Sequence, residues 1–418
     1  MKLIVAVIAV LLLAGVAFSA TPTFNTDIAP ILYQNCAACH RPGEVAPFSL
    51  LTYGDAAKRA ALIAAVTAKR YMPPWKAEAG VGHFQDERRL TDAQIATIGE
   101  WARNGAPEGD PKQKPTPPQF ASGWQAGQPD AVLTMPQPFR VAADGRDVFQ
   151  CFVIPLNFTA DTFIRTVEFH PGNPRVVHHA LFFLDTGGEG RKLDTATPEP
   201  GYSCFGGPQI EIVGGLGGWA PGATPHPLPS GVAQTVRKGA DLIVQIHYHP
   251  SGKPETDQSS IGLTFGNRPQ KGLAGMLAGT RQIDLAPGVA HQEVTDWVSV
   301  PEDVELIGIT PHAHLLCKEM TVDARLPDGR TEPLIWIKDW DFNWQGQYRY
   351  AEPIRLPKGT RIEMRYIYDN SSANPHNLRI RPSGLPLANR PPTKWRLSFS
   401  RWCCRGRKMF PDFGKSSS

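Results

Sequence analysis

The residues of this chain with chemistry to offer are its histidines and cysteines, and they come in clusters. His312-Ala313-His314 follows an apolar lead-in of Val304, Leu306, Ile307 and Ile309 and reads as strand. Side chains two apart on a strand share a face, so these two imidazoles point the same way and are placed to chelate one metal ion. Imidazole suits zinc, copper, iron and nickel, so the pair alone does not choose among them. Two polar residues on a wet sheet face are the plainer reading. Other groups weigh against it: Val176-Val177-His178-His179 and Ile246-His247-Tyr248-His249. In Asp241–His249, Leu242, Val244 and Ile246 line one strand face, and His247 and His249 lie on the other. His178 and His179 are neighbours and point apart on a regular strand. Binding one ion with both needs a bulge or ligation through Nδ1. His170, His226, His291 and His376 stand alone and read as structural or solvated.

Cys36-Ala37-Ala38-Cys39-His40 has the c-type haem attachment pattern, with two thiols for the vinyl groups and a histidine for the iron. A disulfide or half a zinc site is the alternative; the adjacent histidine and the lack of a second CxxC argue against zinc. Met72, in Tyr71-Met72-Pro73-Pro74-Trp75, is the best second axial ligand, because prolines stiffen its loop and a thioether raises the potential. It could instead merely pack, and His83 is a weaker rival.

The elements that would position these groups differ along the chain. Asp27 to Asn35 fits a helix leading into the CxxCH. Asp55 to Lys69 is alanine-rich and apolar-periodic, a second helix. Thr91 opens a third, with Gln94 completing a capping box and Gly105 stopping it just beyond Arg103. Residues 21–110 thus read as a small all-α cytochrome c-like module, and the Lys- and Pro-rich 111–120 as a semi-rigid linker. From about 121, short alternating runs separated by Gly, Pro and Asn turns predict an all-β body: Val148–Pro155, Phe163–His170, Val176–Leu184, Asp241–His249, Ile261–Phe265, Glu305–Leu316, Met320–Leu326 and Arg361–Tyr368. About 250 residues would fill two β-sandwiches.

The chain has 418 residues, 41% hydrophobic and 20% charged, enough for packed cores in two or three domains. Met1-Lys2, an apolar run from Leu3 to Phe18 and Ser19-Ala20 read as a secretory signal over 1–20, with a retained anchor as the alternative. The expected location is periplasmic or secreted, where disulfides are permitted, without stable membrane insertion once the signal is removed.

Taken together, Val176-Val177-His178-His179, Ile246-His247-Tyr248 and His312-Ala313-His314 resemble the copper type II, ascorbate-dependent monooxygenases, the family of dopamine β-monooxygenase and the peptidylglycine hydroxylating enzyme. The match spans roughly Ala131 to Asn374. Any one motif is weak; the three in order are specific. The resemblance implies two jelly-roll-like sandwiches, over 121–270 and 271–377, with one copper each. It assigns His178, His179 and His247 to an electron-transferring copper, and His312 and His314 to the copper that binds oxygen and substrate. His249 receives no role. The resemblance also pairs Cys151 with Cys204 in a disulfide closing a loop of roughly 50 residues, worth ~4 kcal/mol in the entropy account. Cys317 then remains single, either an inert thiol or an oxidation-sensitive one. The implied reaction hydroxylates a C–H bond of a small organic substrate with O2. Electrons would come from an ascorbate-like or protein donor, by way of the fused haem. Peptide-amidating members carry Arg two residues before the His-x-His; Thr310 stands here, so a glycine-extended peptide is not the expected substrate.

The tail departs from this pattern. The family ends in Ser/Thr-Asp-Glu-Met, whose Met is the third ligand of the oxygen-binding copper, followed by an apolar strand; neither follows Asn374 in frame. Met320 and Met364 are the nearby thioethers, and neither matches the family position. From Ser371 onward there are ten Lys/Arg and one acidic residue, against 33 and 38 elsewhere, so the net +4 comes from the tail. Read one nucleotide out of phase, Pro391-Pro392-Thr393-Lys394-Trp395 can encode Asp-Glu-Met, and Leu397-Ser398-Phe399-Ser400 gives apolar codons. Residues 378–418 therefore look like a frameshifted end, with a genuine basic, disordered tail as the alternative. No nucleic-acid partner is expected. On this reading the second sandwich lacks its last strand, has an open edge, and supports little activity. A haem and copper protein without turnover is the rival function.

Overall fold

The computed structural model describes residues 21–377, apart from 122, 213, 277 and 280–282, together with the backbone of Trp402–Cys404. The signal expected over 1–20 and the remaining tail lie outside the described residues.

Helices occupy the first hundred residues. A π-helical turn, Phe24–Ile28, runs into α1 (Ala29–Asn35); α2 (Tyr53–Ala57), α3 (Ala60–Ala68) and α4 (Asp92–Arg103) follow. The single helix expected over 55–69 is broken in two. The Arg59 N–H turns to the Ala56 carbonyl at 3.0 Å, while the Arg59 guanidinium takes the Asp55 carbonyl at 3.2 Å. That carbonyl is the one an unbroken helix would have given to the Arg59 N–H. The capping box of α4 forms as expected from Thr91 and Gln94. Phe24, Ile28, Leu32, Ile98 and Trp101, all fully buried, hold these helices together.

The rest of the chain is β-rich. Its strands are β1 (Ala131–Thr134), β2 (Phe139–Val141), β3 (Val148–Pro155), β4 (Thr162–His170), β5 (Val177–Asp185), β6 (Tyr202–Ser203), β7 (Gly215–Trp219), β8 (Gln234–Val236), β9 (Asp241–Tyr248), β10 (Glu255–Asp257) and β11 (Ser260–Phe265). They are followed by β12 (Gly272–Ala274), β13 (Gln292–Ser299), β14 (Val304–Ile309), β15 (Cys317–Arg325), β16 (Thr331–Ile337), β17 (Tyr348–Leu356), β18 (Arg361–Tyr368) and β19 (Trp402–Cys404). A five-stranded sheet, β6-β3-β9-β5-β7, and a four-stranded one, β1-β11-β4-β8, share a core that includes Phe152, Ile164, Phe182, Leu242, Val244 and Leu263. A second pair, β13-β18-β15-β16 and β12-β19-β14-β17, shares a core that includes Leu306, Met320, Val322, Ile335, Leu356 and Tyr366.

The central strand β9 is buried along its whole length. One face carries Leu242, Val244 and Ile246 into the first core. On its other face Ile243 packs with Cys151, Val153, Tyr202 and Cys204. Cys151 and Cys204 are disulfide-bonded across a sequence separation of 53.

Three features differ from the sequence reading. First, β14 ends at Ile309, so His312 and His314 lie in the irregular stretch beyond the strand. Pro311 has no N–H for the ladder, which removes the pairing that would continue β14. Second, residues 75–85 join the second β unit. Glu78 N–H donates to the Trp336 carbonyl at 2.8 Å, Gln85 N–H to Arg349 at 2.8 Å, and Ala77 and Phe84 are buried in that unit's core. Third, an open edge was expected where the last strand should pair, but the backbone of β19 fills the position between β12 and β14. No described helix is long and apolar enough to cross a membrane.

Candidate metal centre

β5 and β9 are antiparallel neighbours, and their register is regular from His179↔His247 onward but shifts between Val177 and His179. This bulge lets adjacent histidines face one point, as one of the two routes required of a His-His pair. The second route is used too. Nδ1 of His178 lies 3.2 Å from Nδ1 of His179, and Nδ1 of His247 lies 3.3 Å from the same atom. The three ligand atoms fall within 4.8 Å of one another, an arrangement that could hold a metal ion.

The surroundings keep these rings neutral, as ligation requires. Burial holds His179 well below its ordinary value, and the neighbouring His247, His178 and His312 push it further. Burial, then His178, lowers His247 to about 4 despite the carboxylate of Asp147. His178 is lowered by burial against the opposing pull of Asp147. Phe149, opposite His247 across β3 and β9, stacks flat on its ring at 4.2 Å between centroids.

Asp147 was not singled out from sequence. One of its oxygens lies 2.8 Å from Nε2 of His247, the other 2.8 Å from Nδ1 of His249. Burial would raise the Asp147 carboxyl, but hydrogen bonds from His247 and His249 outweigh it and hold it below the usual carboxylate range. His249, with its side chain 69% exposed, stays outside the triad and shares only this carboxylate.

His312 and His314 still face each other beyond the end of β14, with ring centroids 5.0 Å apart. Ala313 between them is buried, so the extended alternation persists without a ladder. Gln345 Oε1 lies 2.6 Å from Nδ1 of His312. Burial lowers His312, and burial with His312 lowers His314 to about 3. Met320 and Met364 are 0% and 1% exposed and belong to the second core, packed as hydrophobes. Cys317 is likewise buried, its thiol pushed up to about 12 chiefly by that burial, which marks the inert reading of this cysteine.

In the helical segment Cys36 and Cys39 are free thiols, and Nδ1 of His40 is 3.1 Å from the Phe48 carbonyl. A ring N–H given to a carbonyl leaves Nε2 available for iron, so these residues fit a covalent haem. Arg88, also unmarked by sequence, donates Nη1 to the Gly222 carbonyl at 3.0 Å and points it at Cys39 Sγ at 4.0 Å, while its buried Nε has no partner among the described residues. Tyr71 meets Trp344 edge-on and Trp75 meets Tyr348. These contacts put Met72 at the junction with the β body; they do not place it across from His40.

A single cavity of about 2610 Å³ connects the parts. Its wall includes Arg41 and Arg88 on the helical side, His179 from the triad, and His312 and His314. Met276 is the one methionine among its lining residues, also passed over in the sequence reading.

No family model matches the chain, and no curated protein matches it. Among solved structures, one of PNGF-II is similar at a TM-score of 0.27 and 8% identity, covering 66% of this chain and 65% of that one. The chain thus spans slightly less than two thirds of that structure's length, and a likeness this distant carries no argument about fold or activity.

Proposed function

We propose that this chain is an exported, copper-dependent monooxygenase-like protein, hydroxylating a C–H bond of a small organic molecule with O2 and receiving electrons through a c-type haem. The observation that carries the reading is the convergence of three Nδ1 atoms beside a cavity whose wall also holds His312 and His314. An all-imidazole donor set suits copper, which outranks the other divalent first-row metals at nitrogen sites. Bound copper would supply one-electron chemistry at the triad and an oxygen-binding centre at the pair. The chain's own residues set the conditions: neutral rings at both groups, Asp147 orienting His247, Gln345 orienting His312, and an open cavity that could admit the substrate. Cys36, Cys39 and His40 would hold the haem that feeds electrons from an ascorbate-like or protein donor. The Cys151–Cys204 disulfide fits an oxidising compartment.

A second reading, a haem and copper electron carrier without turnover, draws support from Met320 and Met364. Both are committed to the core, leaving the pair without those thioethers. Purified protein decides between the two. Copper at both groups, covalent haem and oxygen uptake with added reductant support the enzyme. Copper at the triad alone with no oxygen uptake supports the carrier.

A further inference from the structure

The face of the helical segment that carries Cys39 meets a turn of the first β unit. β7 ends at Trp219, which pairs with Ala180, the residue after His179. The chain then turns, with the Ala223 N–H donating to the Ala220 carbonyl at 2.9 Å and Gly222 at φ +79°. Residues with a Cβ rarely adopt that φ. A Cβ on Gly222 would also fall on Arg88 Nη1 and lie 2.8 Å from Cys39 Sγ, so glycine is what lets this turn close on the cysteine. The Gly222 carbonyl accepts from Arg88 Nη1 at 3.0 Å, and the same Nη1 lies 4.0 Å from Cys39 Sγ. Further along, His226 meets Asp86, and Arg349 of the second unit donates to the His226 carbonyl at 3.2 Å and the Pro227 carbonyl at 2.5 Å. The Gln85 N–H donates to the Arg349 carbonyl at 2.8 Å. Residues 85–88 are thus fastened to 222–227 directly and again through Arg349, which holds Arg88 beside Cys39.

We propose that Arg88, seated by the Gly222 turn, is a positioning residue that sets the reduction potential of the haem that Cys36, Cys39 and His40 would hold. This rests on the haem reading above. A guanidinium stays charged, and a fixed positive charge beside the group disfavours the ferric form, which carries one positive charge more than the ferrous. Its buried Nε has no acceptor among the described residues, so the protein does not use up the guanidinium in pairing it. Because the seat belongs to the first β unit, the potential of the haem depends on the β body being closed against Cys39. The turn that does this leads back through Trp219 to the neighbour of His179, which ties the haem end of the chain to the triad.

The test uses the full chain, secreted by a host that attaches haem c, and reads the midpoint potential and visible spectrum of the haem. Arg88→Gln is expected to lower the potential by on the order of tenfold in the reduction equilibrium, ~59 mV for one electron, with the spectrum unchanged. Arg88→Lys keeps the charge and is expected to stay near the parent. Gly222→Ala displaces the guanidinium and is expected to lower the potential as well. The double variant of Arg88→Gln and Gly222→Ala should fall no further than the larger single change, because both act through one charge. An unchanged potential in Arg88→Gln, or an equal fall in Arg88→Lys, overturns the role of the charge. Falls that add in the double variant overturn the seat at Gly222. Both results leave the haem itself standing. If the parent carries no covalent haem, the haem reading fails, and this inference with it.

Discussion

Asp147 and His247 stand 2.8 Å apart, carboxylate oxygen to Nε2, and this contact decides which nitrogen of His247 is offered to a metal. With Nε2–H given to the carboxylate, Nδ1 is the free donor, and Nδ1 is the atom that faces His179. His247→Ala should therefore abolish copper at the triad. His249→Ala, which removes only the other partner of Asp147, should leave it bound. Asp147→Ala should lower affinity roughly 10–100-fold, the usual cost of losing such a partner. Equal losses in the His247 and His249 variants would show that both rings bind. Metal analysis after dialysis and a chelator competition read all three.

The metal-free protein should lose stability on mild acidification. All five histidines of the two groups are held below their ordinary 6.5, His247 to about 4 and His314 to about 3. In each, the unfolded chain takes up a proton before the folded one does. Stability is therefore fully present above the unfolded value and falls as pH drops from about 6.5 towards the folded values near 4 and 3. Denaturant midpoints of the apo protein between pH 7.5 and 4.5 check this. Replacing His247 or His314 with Gln should flatten the slope; a slope unchanged in both variants would mean the rings are not held neutral by burial.

Much of this was legible in the sequence, and the failures share a cause. β3 and β18 begin and end where the alternation places them, and the capping box of α4 needs only residues three apart. The problem of His178 beside His179 was visible from strand geometry, and the bulge resolves it. Asp147 was invisible because it lies 100 residues from His247 in sequence, and only the β3–β9 register brings the two together. The loop at Gln345 and the docking of 75–85 onto the second unit are long-range in the same way. The strand expected through His314 stops at Ile309 for a local reason, since Pro311 has no N–H to continue the ladder.

Covalent pigment is the simplest check on the helical segment. Cys36 and Cys39 carry free thiols held up by burial, Cys36 to about 12, so both would remain protonated without an attached group. His40 is oriented by Phe48. The parent protein, secreted by a host that attaches haem c, should keep its colour after denaturation. Cys36→Ala with Cys39→Ala should keep none. Met72→Ala should lower the reduction potential, and an unchanged visible spectrum and potential would remove Met72 as the second axial ligand.

The methionines separate stability from metal binding at the second group. Met320 and Met364 are buried in the second core, which also holds Leu306 and Val322, and truncating either leaves a void there. Such a change costs about 2–5 kcal/mol, so Met320→Ala should shift the denaturant midpoint strongly. It should leave the spectroscopic signature of copper at His312 and His314 unaltered in the protein that remains folded. Met276 is partly buried on the wall of the cavity that His312 and His314 also line, and a thioether is a ligand type that Cu(I) favours. Met276→Ala should hardly change the midpoint but should release Cu(I) from the His312 and His314 pair at lower chelator concentration. X-ray absorption on the reduced protein reads the point directly, as a sulfur scatterer present in the parent and absent in the variant. If the parent shows only nitrogen scatterers at both coppers, the pair works without a thioether, and Met276 is a wall residue and nothing more.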